Sequence, residues 1–362
     1  MSAPPFRAEH IGSLLRPAAL LEARRRFARG EIDQAALTVA EDRAIDEAVH
    51  LQERVGLRLV TDGEFRRASY HSYFYGELGD ISFEAPDGEA GSRGAQPTGV
   101  IKSRIAWKGP IHGGDFAYLK SRTTALPKIT IPGPCALHFR GSDAAVTAYA
   151  YRDLDEFWDD IVAAFRSELC SLAAAGCSYV QIDETAFAKF GDAEVQATLR
   201  ARGDDPDALI DKYINISNRV LADLPDIRIG MHLCRGNRGG QWHAEGSYEA
   251  IAEKLFNRLA IPFFFLEYDS PRAGDFAPLR LVPQDKTIVL GLVSTKMNFL
   301  EDKSALKRRL DEASRYVSLE RLAVSPQCGF ASTEVGNPIS PEMQEAKLRL
   351  VVELAQETWG IA

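Results

Sequence analysis

Apolar residues in this chain gather in short, nearly unbroken runs that alternate with longer amphipathic stretches. The runs are AEHIGSLL (8–15), LRLVTDGE (57–64), KITIPGP (128–134), YVQIDE (179–184), IRIGMHLC (227–234), FFFLEYD (263–269), TIVLGLVS (287–294) and LAVSPQC (322–328). Their β-branched and aromatic content predicts eight strands. Between them, AALTVAEDRAIDEAVHLQERVG reads as a helix stopped by Gly56. DLDEFWDDIVAAFRSELCSLAAAG reads as another, capped by Asp153 or Asp155 and stopped by Gly176. DALIDKYINISNRVLADL, SYEAIAEKLFNRL, DKSALKRRLDEASRYV and SPEMQEAKLRLVVELAQETWG complete the predicted helices. Unbroken apolar runs suit parallel strands buried on both faces. Eight of them separated by helices predict an α/β fold, a (β/α)8 TIM barrel spanning 1–362 as one unit. The alternative is a doubly wound sheet, but no GxGxxG follows the first run.

Residues 66–127 interrupt the rhythm, because they far exceed an ordinary crossover. Their first part, RRASYHSYFYGELGDISFE, is aromatic. The middle, APDGEAGSRGAQPTG, is rich in Gly and Pro and reads as mobile, and VIKSRIAWKGPI reads as β-structure. An elaborated loop after the second barrel strand predicts a cap over the active-site face.

A hydrophobic fraction of 45% and a charged fraction of 26% are those of a soluble globular protein. The net charge of −8 favours neither nucleic acid nor an anionic membrane as a partner. No apolar run approaches the ~20 residues that cross a bilayer, and the opening MSAPPFRAEH has no signal-peptide core, so the expected location is cytoplasmic. Five cysteines in a long chain do not read as a disulfide framework. Cys170 and Cys177 are expected to be small buried packing groups, and Cys135 to pack or to line a cleft.

Polar residues recur at the ends of the runs, where a barrel builds its active site. His232 and Cys234 end the fifth, Glu267 the sixth and Cys328 the eighth. Asp183 and Glu184 end the fourth, Asp62, Gly63 and Glu64 the second, and His10, Gly12 and Ser13 lie at the end of the first. Residues i and i+2 on a strand share a face, so His232 and Cys234 can aim at one metal. Soft thiolates with an imidazole favour Zn2+ over magnesium or calcium. On spacing alone, a core histidine beside buried cysteines remains the alternative.

The segments EHIGSLLRP, LVTDGEFRR, ITIPGP, YVQIDETAF, MHLCRGN, FLEYD and SPQCGF, in that order, resemble the catalytic domain of cobalamin-independent methionine synthase over nearly the whole chain. The resemblance implies a zinc-bearing (β/α)8 barrel that moves a methyl group to the thiol of homocysteine. It implies His232, Cys234, Glu267 and Cys328 as zinc ligands. Ile11, Gly12 and Ser13 would hold the amino acid thiol, Glu64 and Asp183 would grip its ammonium group, and Glu184 would shape the site. Four protein ligands close the shell of the ion, so one must loosen for the thiol, and the hard oxygen of Glu267 is the expected one.

The chain departs from that family at three points. Full-length synthases carry a second, N-terminal barrel, and this chain is one barrel long. The family's catalytic histidine follows the seventh strand, where this chain reads GLVSTKMNFLED and offers Ser294 and Lys296 instead. An Arg/Gly-rich extension, HLCRGNRGGQWHAEGSY, places Arg235, Arg238 and His243 where an anionic substrate group or solvent would meet them. The acid that protonates the leaving group is therefore unassigned, with Lys296, Glu184, Tyr70 and His71 as candidates and Tyr73 and Tyr75 behind them. The same pattern resembles epoxyalkane:coenzyme M transferase, so alkylation of another thiol such as coenzyme M is the alternative activity. A non-catalytic binder of zinc and thiols is the alternative outside enzymes. The methyl or alkyl donor has no motif of its own.

Overall fold

A computed structural model describes residues 6–84 and 98–361. The strands among them are β1 (Leu59–Val60), β2 (Ile81–Glu84), β3 (Thr98–Ile101), β4 (Leu126–Pro127), β5 (Ile129–Pro132), β6 (Tyr179–Asp183), β7 (Arg228–Leu233), β8 (Phe263–Glu267), β9 (Thr287–Val293) and β10 (Leu322–Pro326). β10, β9, β8, β7, β6 and β5 lie side by side in that order in one sheet, and every neighbouring pair is parallel. These six strands correspond to the third through eighth apolar runs.

Alternate residues of the sheet sort into two apolar clusters. Val180, Ile182, Phe264, Leu266, Ile288, Leu290, Leu322 and Val324 join the large core shared with the helices. Tyr179, Phe263, Phe265, Val289 and Ala323 join Ile11 in a smaller cluster. Both faces are thus covered, which is why these strands read as continuous apolar runs. Lys128 sits among them fully buried, its Nζ 3.2 Å from Glu9 Oε2 and 3.0 Å from Gln181 Oε1.

The expected barrel is not closed by the ladders among the described residues. The first run, 8–15, contributes a single parallel bridge, Ala8 to Val324. The second shortens to β1, which pairs with β4 apart from the main sheet. Both runs carry residues that leave extended geometry: φ is 128° at Gly12, 67° at Gly63 and 61° at Glu64. Leu14 N to Gly63 O at 3.1 Å and Lys128 N to Val60 O at 2.8 Å still tie these pieces to each other and to the sheet.

The expected helices form as Gln34–Arg54, Leu154–Ala174, Pro206–Leu221, Glu249–Arg258, Lys303–Ala313 and Pro341–Trp359. Asp153 caps the second, accepting from Asp155 N, and Gly176 follows its end at φ 87°. Ala18–Ala28, Ala136–Thr147 and Ala193–Ala201 are further helices that the hydrophobic pattern did not announce. Cys135 and Cys177 are buried, but Cys170 is exposed. On its helix Cys170 falls away from the buried stripe of Phe165, Leu169 and Leu172, so the expectation of packing fails for it.

Within 66–127 the structure has the helices Ser72–Leu78 and Gly113–Arg122 and an antiparallel hairpin of β2 and β3. The Gly- and Pro-rich middle, 85–97, lies outside the described residues. The expected strand VIKSRIAWKGPI stops at Ile101. Further along it, the backbone N–H groups of Ile111 and His112 and the Trp107 indole all donate to the buried Glu168 carboxylate. Those donors are drawn to a helix rather than to a ladder. No helix among the described residues is long and apolar enough to cross a membrane.

Candidate functional site

The C-terminal ends of β6, β7 and β10 converge on one cavity of about 250 Å³. Strand register sets the floor: Pro132 on β5, Asp183 on β6 and His232 on β7 are successive partners. Cys234 follows β7 by one residue, and Cys328 follows β10 by two. The ligand atoms of His232, Cys234 and Cys328 all lie within 4.8 Å of one another, and all three residues are buried.

His232 Nδ1 lies 3.0 Å from Asp183 Oδ1, which fixes the ring and leaves Nε2 for a ligand. Nε2 stands 3.3 Å from Gln327 O. Burial opposes charge on this imidazole, but Cys234 and then Asp183 outweigh it and raise His232 to about 9. The Cys328 thiol hydrogen-bonds to Cys234 and, with His232, holds Cys234 down to about 6 against burial. Cys328 moves upward in return. Two thiols and an imidazole at this mutual distance form a donor set that fits zinc.

Glu267 is not part of that cluster. Continuing the β7–β8 register by one residue places it level with Cys234. Its carboxylate, fully buried, is engaged otherwise: one oxygen pairs with the Arg272 guanidinium, and the other accepts from Arg235 N at 2.7 Å. Sequence spacing cannot show such a competitor, because Arg272 comes from the loop that follows β8.

Ile11, Ser13, Glu64 and Asp183 line the same cavity. Gly12 lies behind them, and a Cβ there would stand 2.6 Å from Thr130 Cγ2. Its positive φ and this contact demand glycine. Glu64 Oε1 accepts from Thr130 Oγ1 at 2.8 Å, while Oε2 is buried without a partner. Burial raises Glu64 to about 7, with Arg67 opposing and Asp183 assisting. An uncompensated carboxylate oxygen, on a residue held at positive φ, marks a place built for a ligand.

The candidates for the acid divide. Tyr70 and His71 line the cavity, whereas Glu184 and Lys296 do not. Glu184 accepts from Cys135 N at 3.0 Å and from Ala186 N at 3.0 Å, so it holds the turns beside the site. Lys296 is buried with its Nζ lacking a hydrogen-bond partner. Tyr73 faces another surface, against Leu37 and Arg66, and Tyr75 donates to Gly133 O. Arg235 is structural, stacked 4.2 Å over Tyr248 and bound to Gly246 O, while Arg238 and His243 reach the cavity. Arg140 and Lys189 also line the cavity, and the sequence reading missed both. The available signal was a lysine inside the apolar stretch TAFAKFG.

Fold and site together define an α/β protein whose parallel strands deliver one imidazole and two thiols to the floor of a cavity. The chain matches the family model described as "Cobalamin-independent synthase, Catalytic domain" over residues 6–357, and it belongs to that family of methionine synthase-like methyltransferases. It is 41% identical over 367 residues to the uncharacterized protein YxjG of Bacillus subtilis, covering 98% of this chain and 95% of that one. It is similar to a crystal structure from Listeria monocytogenes, named there as a candidate vitamin-B12-independent methionine synthase. That match has 34% identity and a TM-score of 0.75, covering 99% of this chain and 100% of the other. A B12-independent methionine synthase from Shewanella sp. W3-18-1, solved with selenomethionine, has a TM-score of 0.76 at 19% identity, over 97% of each chain, which speaks for the fold alone.

Proposed function

We propose that this chain is a cytoplasmic, zinc-dependent thiol alkyltransferase that moves a methyl group to homocysteine and yields methionine. The observation that carries the reading is the convergence of His232, Cys234 and Cys328 in a cavity that also presents Glu64 and Asp183. Those three residues would hold zinc, and Glu267 would be the fourth and exchangeable ligand, with Arg272 receiving its carboxylate when it withdraws. Bound there, zinc supplies the positive charge that favours the thiolate form of a substrate thiol.

The remaining work falls to the chain's own side chains. The free Oε2 of Glu64 and the Asp183 carboxylate suit an ammonium group, which would favour the charged form of Glu64. Ile11 and Ser13 flank that position and orient the amino acid. Tyr70 keeps its proton at neutral pH, because burial raises it above the ordinary phenol range. Its hydroxyl accepts from Arg140 at 3.0 Å and lines the cavity, so it is the proton donor to the leaving group in this reading. The described part of 66–127 brings Tyr70, His71 and Phe83 to the wall and, in this reading, acts as a cap that excludes water. In this reading the N-terminal run and β1 stand in the places of the first two strands of a barrel, tied to the sheet by the Ala8–Val324 bridge and by Lys128 N to Val60 O.

The test is metal analysis of the purified protein, followed by mass spectrometry of several thiols incubated with several methyl donors. Stoichiometric zinc and methylated homocysteine are expected. Protein that binds no zinc, or that alkylates no thiol from any donor, would sink the reading.

A further inference from the structure

We propose that Gln181 is a positioning residue for the metal site: it acts through Asp183 to decide which nitrogen of the His232 imidazole is open to an ion. The inference rests on the alkyl-transfer reading only in taking His232 for a zinc ligand.

Gln181 is the middle residue of β6 and has no exposed surface. A glutamine buried in a parallel sheet must find partners for both ends of its amide. Residues two apart on a strand share a face, so its side chain stands beside that of Asp183. The orientation of the amide is fixed from two sides. Ile11 O, which only accepts, lies 2.6 Å from Nε2. The Lys128 ammonium, which only donates, lies 3.0 Å from Oε1. Lys128 is itself held by Glu9 Oε2 at 3.2 Å and by His10 O. One hydrogen of Nε2 goes to Ile11, and the other goes to Asp183 Oδ1 at 2.8 Å.

This direction passes on to the metal site. Asp183 Oδ1 accepts from Gln181 and faces His232 Nδ1 at 3.0 Å. A carboxylate only accepts, so Nδ1 carries a proton and Nε2 is the nitrogen that can offer its lone pair. The terminal torsion of an aspartate is soft. A second donor on Oδ1 is therefore what holds this carboxylate in one orientation. Both bonds fall on Oδ1, which leaves Oδ2 for the cavity that Asp183 lines. One carboxylate thus serves the imidazole with one oxygen and a ligand with the other.

A glutamine with a purely structural task looks different in this chain. The buried Gln52 joins backbone to backbone: Nε2 donates to Ala48 O and Thr61 O, and Oε1 accepts from Thr61 N, each at 2.9 Å. Gln181 instead joins a buried cation to the carboxylate behind an imidazole.

The test is nuclear magnetic resonance of protein labelled at histidine with heavy nitrogen. The Nδ1–H signal that disappears in His232→Gln belongs to His232, and saturation transfer from water reads how fast that proton exchanges. Gln181→Met and Gln181→Glu both remove the Nε2 donor. The second keeps an oxygen for Lys128 and carries the test if the first does not fold. Each should speed the exchange about tenfold, the effect of losing a hydrogen bond to a charged group. Each should also weaken zinc about tenfold or more in competition with a chelator. Tyr179→Phe removes the hydroxyl that donates to Glu9 Oε1 at 3.1 Å, at the far end of the same network. It should lower the unfolding midpoint and leave the exchange as in the wild type. The proton is present with or without zinc, so a failure of zinc binding leaves this measurement untouched. Four results would overturn the assignment: a wild-type His232 protonated on Nε2 alone, wild-type exchange in both Gln181 variants, faster exchange with unchanged zinc affinity, or an equal effect of Tyr179→Phe.

Discussion

Asp183 and His232 are register partners on adjacent strands, and their side chains meet at 3.0 Å. The backbone ladder therefore sets the orientation of the imidazole. Asp183→Asn should keep the fold and weaken zinc by about 10–100-fold, the usual cost of losing a carboxylate behind a ligating histidine. Competition with a chelator measures it. Unchanged affinity would mean that Asp183 serves the substrate alone.

Cys234 and Cys328 lie at strand ends, outside the apolar clusters. Cys234→Ser or Cys328→Ser should strip zinc while the circular dichroism spectrum stays that of the wild type. Collapse of the spectrum would identify a structural metal instead.

Lys128 and Glu9 form a pair with no exposed surface on either side chain. Burial raises Glu9, and Lys128 opposes the rise. Lys128→Met leaves Glu9 buried without its cation and should cost about 3–5 kcal/mol in urea denaturation. Adding Glu9→Gln should recover part of that loss. A single variant as stable as the wild type would show that Glu9 is neutral in the fold.

His138 gives a pH dependence away from the metal site. Burial lowers it, with Asp143 opposing, and its nitrogens lie 2.8 Å from Tyr213 OH and 2.7 Å from Asp143 Oδ1. The unfolded imidazole takes its proton near 6.5, and the folded one only at lower pH. The unfolded state thus binds more protons in that window, so this group's contribution is intact above 6.5 and is lost as pH falls through the folded value. Thermal unfolding midpoints between pH 7 and 5 should fall less steeply for His138→Gln than for the wild type. Parallel curves would refute the assignment.

The strand bodies were legible because burial on both faces leaves an unbroken apolar run, as in the FFFL of residues 263–266. His232, Cys234 and Cys328 were legible because polar and thiol residues stand out at the ends of such runs. The short β1 was not, since the departure from extended backbone depends on Gly63 and Glu64 folding back toward Leu14 and Thr130.

The chain alone thus determined six parallel strands, the six expected helices, the thiol and imidazole donors and the family to which they point, all of which depend on local pattern and residue chemistry. Tertiary structure decided which donors meet, that Arg272 holds Glu267, that Cys170 faces outward and that Arg140 and Lys189 share one cavity. Those outcomes depend on distances between segments far apart in sequence, and strand register and loop packing set such distances.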